Sequence, residues 1–279
     1  MVDRHFPSWF ARAQERAGAA LKAVSSAIPN DVRAALGWLA EPVAAVALVF
    51  TATTAIAQPF YVPSGSMQPT LAIGDLLIAN KWTYGYTRFS IPFVTGETPE
   101  HRLFEHMPQV GDVAVFHVGD RPSALVKRVI GLPGDRIQMK QGRLWINDRQ
   151  LPLQAVGSGR DEDGPGETAP GTYFKVAEFI ETLPNGVRHP VFKKYRDAPL
   201  DDTSVYVVPP GHVFMMGDNR DDSMDSRVGV DEGGVGYVPI GDLIGRASVI
   251  VASVDFANAR GVWEWPFRLR ISRTLNVVR

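Results

Sequence analysis

Cysteine is absent from all 279 residues of this chain, and its absence excludes several classes of protein. Without thiols there is no disulfide scaffold, thiolate zinc site, iron–sulfur cluster or cysteine nucleophile. Net charge is also nearly absent, because 29 basic and 30 acidic side chains leave a formal charge of −1. Proteins that bind duplex nucleic acid usually carry a clear basic excess, so we expect no nucleic-acid partner.

The common signatures of a serine hydrolase are missing as well. The sequence has no Gly-x-Ser-x-Gly motif, and none of its six histidines lies in a recognisable triad motif. A hydroxyl nucleophile in this chain would therefore need a base other than histidine, and lysine is the known alternative. No cofactor or metal motif is evident, and we expect neither.

Long hydrophobic runs are scarce, and a single one stands out. Residues 43–57 carry no charge, and with their uncharged flanks they predict a transmembrane helix over residues 41–60. A buried core helix would give a similar pattern. Residues 1–40 have a weak basic excess and an amphipathic stretch over 9–28, which predicts a cytoplasmic N-terminal segment lying on the membrane or on the protein surface.

The rest of the chain has a β pattern, with 26 glycines and 21 prolines marking many turns. We expect a mainly β fold. Residues 155–171 are rich in Gly, Asp and Pro and predict an exposed loop. Short apolar runs predict strands at 76–80, 113–118, 124–130, 143–147, 173–180, 205–208, 212–216 and 244–252.

Three polar segments are candidates for chemistry, and the first directly follows the hydrophobic run. Residues 63–71 read PSGSMQPTL, in which Ser64 and Ser66 flank a glycine in a tight turn. Such a turn can present one hydroxyl to a substrate backbone. The alternative is a simple linker that leaves a membrane anchor.

The second segment places two adjacent cations, Lys127 and Arg128, inside an apolar strand that ends in a Pro-Gly-Asp turn. Successive strand residues point to opposite faces, so one of the two cations faces a buried side. Burial lowers the pKa of a lysine and makes the neutral amine usable as a base. The alternative is a two-sided or edge strand with both charges in solvent.

The third segment, residues 216–227, is dense in polar side chains that include Asp218, Ser223, Asp225 and Arg227. Paired Asp and Arg side chains can hold a loop rigid beside a site. A solvated loop is the simpler alternative. A calcium loop is disfavoured because the glycine and the terminal glutamate of an EF-hand are missing.

Taken together and in this order, the motifs resemble the type I signal peptidases, the membrane-bound leader peptidases of bacteria. The resemblance covers nearly all of residues 40–253 and rests on five motifs. These are PSGSMQPTL (63–71), GDLLIANKWTYG (74–85), the Gly111-Asp112 strand entry, VKRVIGLPGD (126–135) and GDNRDDSMDSR (217–227).

The resemblance implies a role for each site residue. Ser66 would be the nucleophile and Lys127 the general base. The hydroxyl of Ser64 and the backbone N–H of Ser66 would form the oxyanion hole. The other residues would orient or support the lysine; they are Ser223, Asp218, Asp225, Arg227 and Arg128.

The resemblance also implies an architecture and a place of action. A β-rich catalytic core, residues 61–140 and 206–279, would follow the N-terminal transmembrane helix and carry an inserted second β domain at about 141–205. The enzyme would be a single-pass protein of the bacterial cytoplasmic membrane, with its catalytic domain on the outer, periplasmic face. Its partners would be the lipid bilayer and preprotein signal peptides arriving from the secretion translocon, which it would cleave after small residues.

Other interpretations stay open from the sequence. The chain could be a dedicated processing peptidase for one pilus or conjugation protein, or a soluble Ser–Lys protease of the self-cleaving repressor type. It could also be a non-enzymatic, membrane-tethered β scaffold. The C-terminal run of tryptophans and arginines, residues 260–273, suits a membrane-facing edge or a frayed basic tail equally well.

Overall fold

The computed structural model describes residues 30–91, 101–119, 121, 123–162, 173–256 and 262–279. The amphipathic stretch predicted over 9–28 lies outside the described residues. The chain divides into two compact units at the boundary between Thr51 and Ala52, and each unit is described by itself.

One long helix, α1, spans Asn30–Ala55 and contains Pro42. All side chains from residue 41 to residue 50 are exposed, including the apolar Val43, Val46 and Phe50. Within the described ranges, no helix combines the length and the apolar character needed to cross a membrane.

The prediction of a helix over 41–60 is wrong at its C-terminal end. Helix α1 ends at Ala55, and Ala57–Tyr61 forms a strand that pairs antiparallel with Asp75–Asn80. The sequence gives a physical reason, because Pro59 cannot donate the backbone hydrogen bond that a helix interior requires. On an edge strand the missing donor is tolerated.

The remainder of the described chain is mainly β, as predicted. The strands run in chain order as β1 Ala57–Tyr61, β2 Asp75–Asn80, β3 Val113–Phe116, β4 Leu125–Gly131, β5 Arg136–Lys140, β6 Arg143–Ile146, β7 Arg149–Gln150, β8 Leu153–Glu162, β9 Tyr173–Thr182, β10 Arg188–Lys193, β11 Tyr206–Val207, β12 His212–Met216, β13 Val238–Pro239, β14 Leu243–Ser253 and β15 Asn276–Val277.

The largest sheet has the order β1-β2-β14-β3-β4-β12-β13, with β15 added against β14. Strand β3 is buried along its whole length. Val113 and Val115 pack into one hydrophobic cluster, whereas Ala114 and Phe116 pack into another. The middle of this sheet is therefore covered on both faces, and β4, the strand that carries Lys127, is next to β3.

Two smaller antiparallel sheets contain the predicted insertion. One has the order β10-β9-β8, and the other has the order β11-β5-β6-β7. The second sheet includes strands from both sides of residues 141–205, since β5 precedes that range and β11 follows it. Both predicted boundaries of the insertion thus fall at strands of a single sheet.

All eight predicted strands are present, with small differences at their ends. The exposed loop predicted over 155–171 is wrong for residues 155–162, which belong to β8. This strand forms because nine residues of β9 lie opposite it and supply hydrogen-bond partners along its length. Residues 163–171 lie outside the described ranges.

The alternation of β2 gives a direct test of which sheet face is buried. Leu77 is fully buried, whereas its neighbour Leu76 is partly exposed. We expect Leu77→Ala to lower the free energy of unfolding by about 2–5 kcal/mol, because it leaves a cavity in the core. The matched Leu76→Ala change should cost less than about 1 kcal/mol. Equilibrium urea unfolding would measure both, and equal losses would contradict the assigned faces.

Candidate active site

The first polar segment folds as a short turn. Gly65–Met67 forms a single 3₁₀ turn in which Gly65 and Met67 are buried and Ser66 is half-buried. The Ser66 carbonyl accepts a hydrogen bond from the backbone N–H of Asn219, with a donor–acceptor distance of 3.1 Å. The backbone is therefore fixed on one side while the Ser66 hydroxyl points to the other.

Lys127 lies on β4, and its Nζ donates a short hydrogen bond to Ser66 Oγ. The side chain is 5% exposed, and strand pairing places its backbone opposite Ala114 of β3. The two groups that the sequence singled out, 61 residues apart in the chain, are thus in direct contact. The interpretation of this segment as a solvated edge strand is wrong, because β4 has β3 on one side and β12 on the other.

The surroundings of the Lys127 amine favour its neutral form. Burial lowers the pKa of Lys127 from its ordinary value of 10.5 to about 8. The negative charge of Asp225 opposes this shift, and the positive charge of Arg227 adds to it. At this pKa about one tenth of the amine is neutral at pH 7, directly beside the hydroxyl of Ser66.

An open cavity of about 680 Å³ reaches this pair of side chains. Ser64 is exposed beside Ser66, and their Oγ atoms are 3.4 Å apart. Residues 198–200 and 220–224 form other parts of the wall. The cavity can admit an extended peptide chain to the hydroxyl, with the Ser64 hydroxyl close to the point of attack.

Arg128 points to the opposite side of the sheet from Lys127, and it is fully buried. Its guanidinium donates two hydrogen bonds to the Asp218 carboxylate, at 2.8 and 2.7 Å, and one to the Gly111 carbonyl at 2.7 Å. Burial alone would raise the pKa of Asp218, but the charges of Arg128 and His189 outweigh that effect and hold it well below the usual range. The pair ties β4 to the loop that follows β12.

The loop over residues 217–227 contains a second buried ion pair. Arg227 donates to both oxygens of Asp225, at 2.8 and 2.9 Å, and Asp225 also accepts from the Gly217 backbone N–H. Ser223 lines the same cavity as Ser66 and Lys127. Its buried Oγ has no hydrogen-bond partner among the described residues, so its predicted contact with Lys127 stays a prediction.

Several buried polar residues of the site were missed in the sequence. Arg220 Nη2 donates to Glu181 Oε2 at 2.5 Å, and the ring of His189 lies within 3.3 Å of both the Glu181 and the Asp218 carboxylates. These residues come from β9, β10 and the 217–227 loop. No local pattern marks them: Glu181 and His189 meet only because β9 pairs with β10, and Arg220 and Asp218 reach them from the 217–227 loop. Within the described ranges, no group of three or more acidic or histidine side chains is arranged to hold a metal ion.

Comparison with known proteins settles the family. The family model described as signal peptidase, peptidase S26, matches residues 35–252.

This chain belongs to that family.

Named relatives agree with the family model. The signal peptidase I of Rickettsia akari is 35% identical over 226 residues, which are 77% of this chain and 80% of that protein. The signal peptidase I of Rickettsia typhi is 37% identical over 203 residues, which are 70% of this chain and 72% of that protein. A solved signal peptidase I from Enterococcus faecalis is 22% identical with a TM-score of 0.29, and the match covers 51% of this chain and 98% of that one.

Membership of the signal peptidase family excludes one of the interpretations that the sequence left open. The chain is a serine endopeptidase of the kind that removes signal peptides, and the non-enzymatic scaffold is wrong. The structure also brings the predicted residues of the signal peptidase site together around one cavity and the buried network behind it. These are Ser64, Ser66, Lys127, Arg128, Asp218, Ser223, Asp225 and Arg227.

Gly217 allows a close approach on which this arrangement depends. A Cβ atom at this position would overlap the Ser223 side chain and lie 2.5 Å from the Ser66 carbonyl oxygen. We expect Gly217→Ala to reduce turnover at least about tenfold, because the loop must move away from the Ser66 turn. Steady-state cleavage of a signal-peptide substrate would measure the loss.

Gly229 provides the matched control in the neighbouring loop. A Cβ atom there meets nothing within 4 Å, so Gly229→Ala should leave turnover within about twofold of the unmodified chain. Equal effects of the two changes would contradict the steric argument.

Proposed function

We propose that the chain cleaves signal peptides with a Ser66–Lys127 dyad. The observation that carries this proposal is the hydrogen bond between the buried Lys127 amine and Ser66 Oγ, at the wall of an open cavity. The neutral amine takes the hydroxyl proton as Oγ attacks the carbonyl carbon of the scissile bond. The protonated lysine then returns the proton to the leaving amine, and an ester on Ser66 remains for water to hydrolyse.

The negative oxygen of the tetrahedral intermediate needs hydrogen-bond donors. The Ser64 hydroxyl and the Ser66 backbone N–H are the candidates, and the 3.4 Å between the two Oγ atoms supports the former. Asp218, Arg128, Asp225 and Arg227 hold the surrounding backbone. Ser223 lines the same cavity as Lys127, and its hydroxyl would orient the amine.

We further propose that the substrates are preproteins delivered by the secretion translocon and cut after small residues. The enzyme would act on the outer face of the cytoplasmic membrane, held there by the segment that contains α1. The exposed apolar side chains of α1 support membrane attachment, because water would otherwise surround Val43, Val46 and Phe50. Dedicated use on a single pilus or conjugation substrate is a narrower form of the same activity.

Substitution of the dyad tests the reaction itself. We expect Ser66→Ala, Lys127→Ala and Lys127→Arg each to reduce turnover at least about 10³-fold, since guanidinium cannot lose its proton. The assay is cleavage of a preprotein with alanine at the first and third positions before the cut. Ser158→Ala and Lys175→Ala, on exposed positions of β8 and β9, are the matched controls. Near-normal turnover by Lys127→Ala would overturn the dyad.

The pH dependence tests the state of the amine. Because only the neutral amine accepts a proton, kcat/KM should rise about tenfold per pH unit below the Lys127 pKa and level off above it. That pKa is lowered by burial to about 8, so the rise should end near there. Initial rates between roughly pH 6 and 10 would record the curve. A rise that continues without levelling to the end of this range, as expected for the ordinary lysine pKa of 10.5, would contradict the role of burial.

Membrane attachment is tested by fractionation of cells that express the full chain. We expect the protein to stay in the membrane pellet after alkaline carbonate washing and to be digested by protease added outside the cytoplasmic membrane. A charge on α1, as in Val46→Arg, should reduce retention, because burying an arginine in lipid is costly. The same change at the exposed Val156 of β8 should not. Full release of the unmodified chain by the wash would contradict the anchor.

A further inference from the structure

We propose that Gln68 and Asn219 are positioning residues, which hold the Ser66 turn in its reactive geometry by binding it to the end of β8. This inference rests on the proposed role of Ser66 as the nucleophile. Asp161 and Glu162 form the end of β8. It belongs to the three-stranded sheet of the insertion, so the proposal gives that sheet a part in the reaction.

The Gln68 side chain pairs with Glu162 as if it were a neighbouring strand. Its Nε2 donates to the Glu162 carbonyl at 3.2 Å, and its Oε1 accepts from the Glu162 backbone N–H at 3.1 Å. The residue is 3% exposed. Only a primary amide carries a donor and an acceptor side by side at this length, so the pairing is specific for glutamine.

Asn219 binds the same turn from another direction. Its backbone N–H donates to the Ser66 carbonyl at 3.1 Å, and its side-chain Nδ2 is 3.3 Å from the Gly65 carbonyl. The same Nδ2 donates to Asp161 Oδ1 at 2.9 Å. One fully buried amide therefore links the Ser66 turn to β8, and its own backbone fixes the nucleophile.

The turn and the β8 end are in close contact. A Cβ atom on Gly65 would lie 3.0 Å from the Glu162 carbonyl oxygen and 3.1 Å from Gln68 Nε2. The glycine thus lets the turn rest directly on the strand, without an intervening side chain. A small displacement of either partner would be passed to Ser66.

The loop that carries Asn219 is also held by the inserted sheet. Phe192 on β10 donates from its backbone to the Asp218 carbonyl at 2.9 Å, and its carbonyl accepts from the Arg220 N–H at 3.0 Å. Asn219 thereby continues the sheet beside β10. The Ser66 turn is therefore held to this sheet in two ways. Gln68 binds β8, and Asn219 binds both β8 and β10.

The position of these residues predicts which kinetic constant they affect. Ser64, Gly65 and Ser66 line the cavity, whereas Gln68 and Asn219 lie outside its wall. They act on the reaction through the turn and do not touch a substrate in the cavity. A displacement of the nucleophile by about 1 Å can cost up to about 100-fold in rate. The loss should therefore appear in kcat and leave KM nearly unchanged.

The test is a graded series at Gln68 in the full-length chain, assayed with a synthetic signal peptide that has alanine at the first and third positions before the cut. Gln68→Met keeps the length and removes both hydrogen bonds, and it should lower kcat about 10- to 100-fold with KM within about twofold. Gln68→Glu keeps the acceptor but places a carboxylate oxygen against the Glu162 carbonyl, so its kcat should fall further than that of Gln68→Met. Gln154→Met, the same change at an exposed position of β8, is the matched control and should have no effect.

The outcomes separate this inference from the proposed function. If Ser66→Ala is inactive and Gln68→Met turns over normally, the positioning role is wrong while the dyad stands. If Ser66→Ala is active, the dyad itself is wrong. A Gln68→Met variant that raises KM with kcat unchanged would assign Gln68 to substrate binding and overturn the inference. If Gln68→Met does not fold, kcat of Gln68→Glu and of Asn219→Ser decides, and unmodified values for both overturn it.

Discussion

One buried amine beside one hydroxyl is the constraint on which the rest of the site depends. Removing water from the Lys127 ammonium lowers its pKa to about 8, but the site also needs the negatively charged Asp225 nearby to fix the Gly217 backbone. An unpaired carboxylate would stabilise the protonated amine and undo the effect of burial. The bidentate bond from Arg227 reduces the conflict, because its positive charge lowers the pKa of Lys127 and offsets part of the effect of the carboxylate.

The same compromise recurs in the other buried ion pairs around the cavity. Arg128 binds Asp218, and Arg220 binds Glu181, with each pair almost completely removed from solvent. Such pairs gain little net stability, since burying two charges costs about as much as their attraction returns. Their role here is to fix the conformation of the 217–227 loop, because each ion pair binds the loop to a different strand. The loop has little regular structure of its own, and its form is imposed by these contacts.

The sequence predicts the features that depend on neighbouring residues. It does not predict those that depend on contacts between distant segments. Ser66 and Lys127 lie in short segments whose local pattern indicates a turn and an apolar strand. The opposite orientation of Arg128 follows from strand alternation. Glu181 could not be found in this way, since its partner Arg220 is 39 residues away. Strand β8 was missed because its glycines and polar residues are typical of a loop, and only its pairing with β9 makes it a strand.

The adjacency of Lys127 and Arg128 has a consequence for how the chain must fold. Strand β4 is paired on both sides, and a slip of one residue would keep most of its backbone hydrogen bonds while turning every side chain to the other face. A slip in one direction would bring Arg128 to the position beside Ser66 and Val129 to the position beside Asp218. Such a molecule would have no amine base beside the serine, and the Asp218 carboxylate would be buried without its cation. The register of this one strand therefore decides whether the folded chain has an amine base beside its nucleophile.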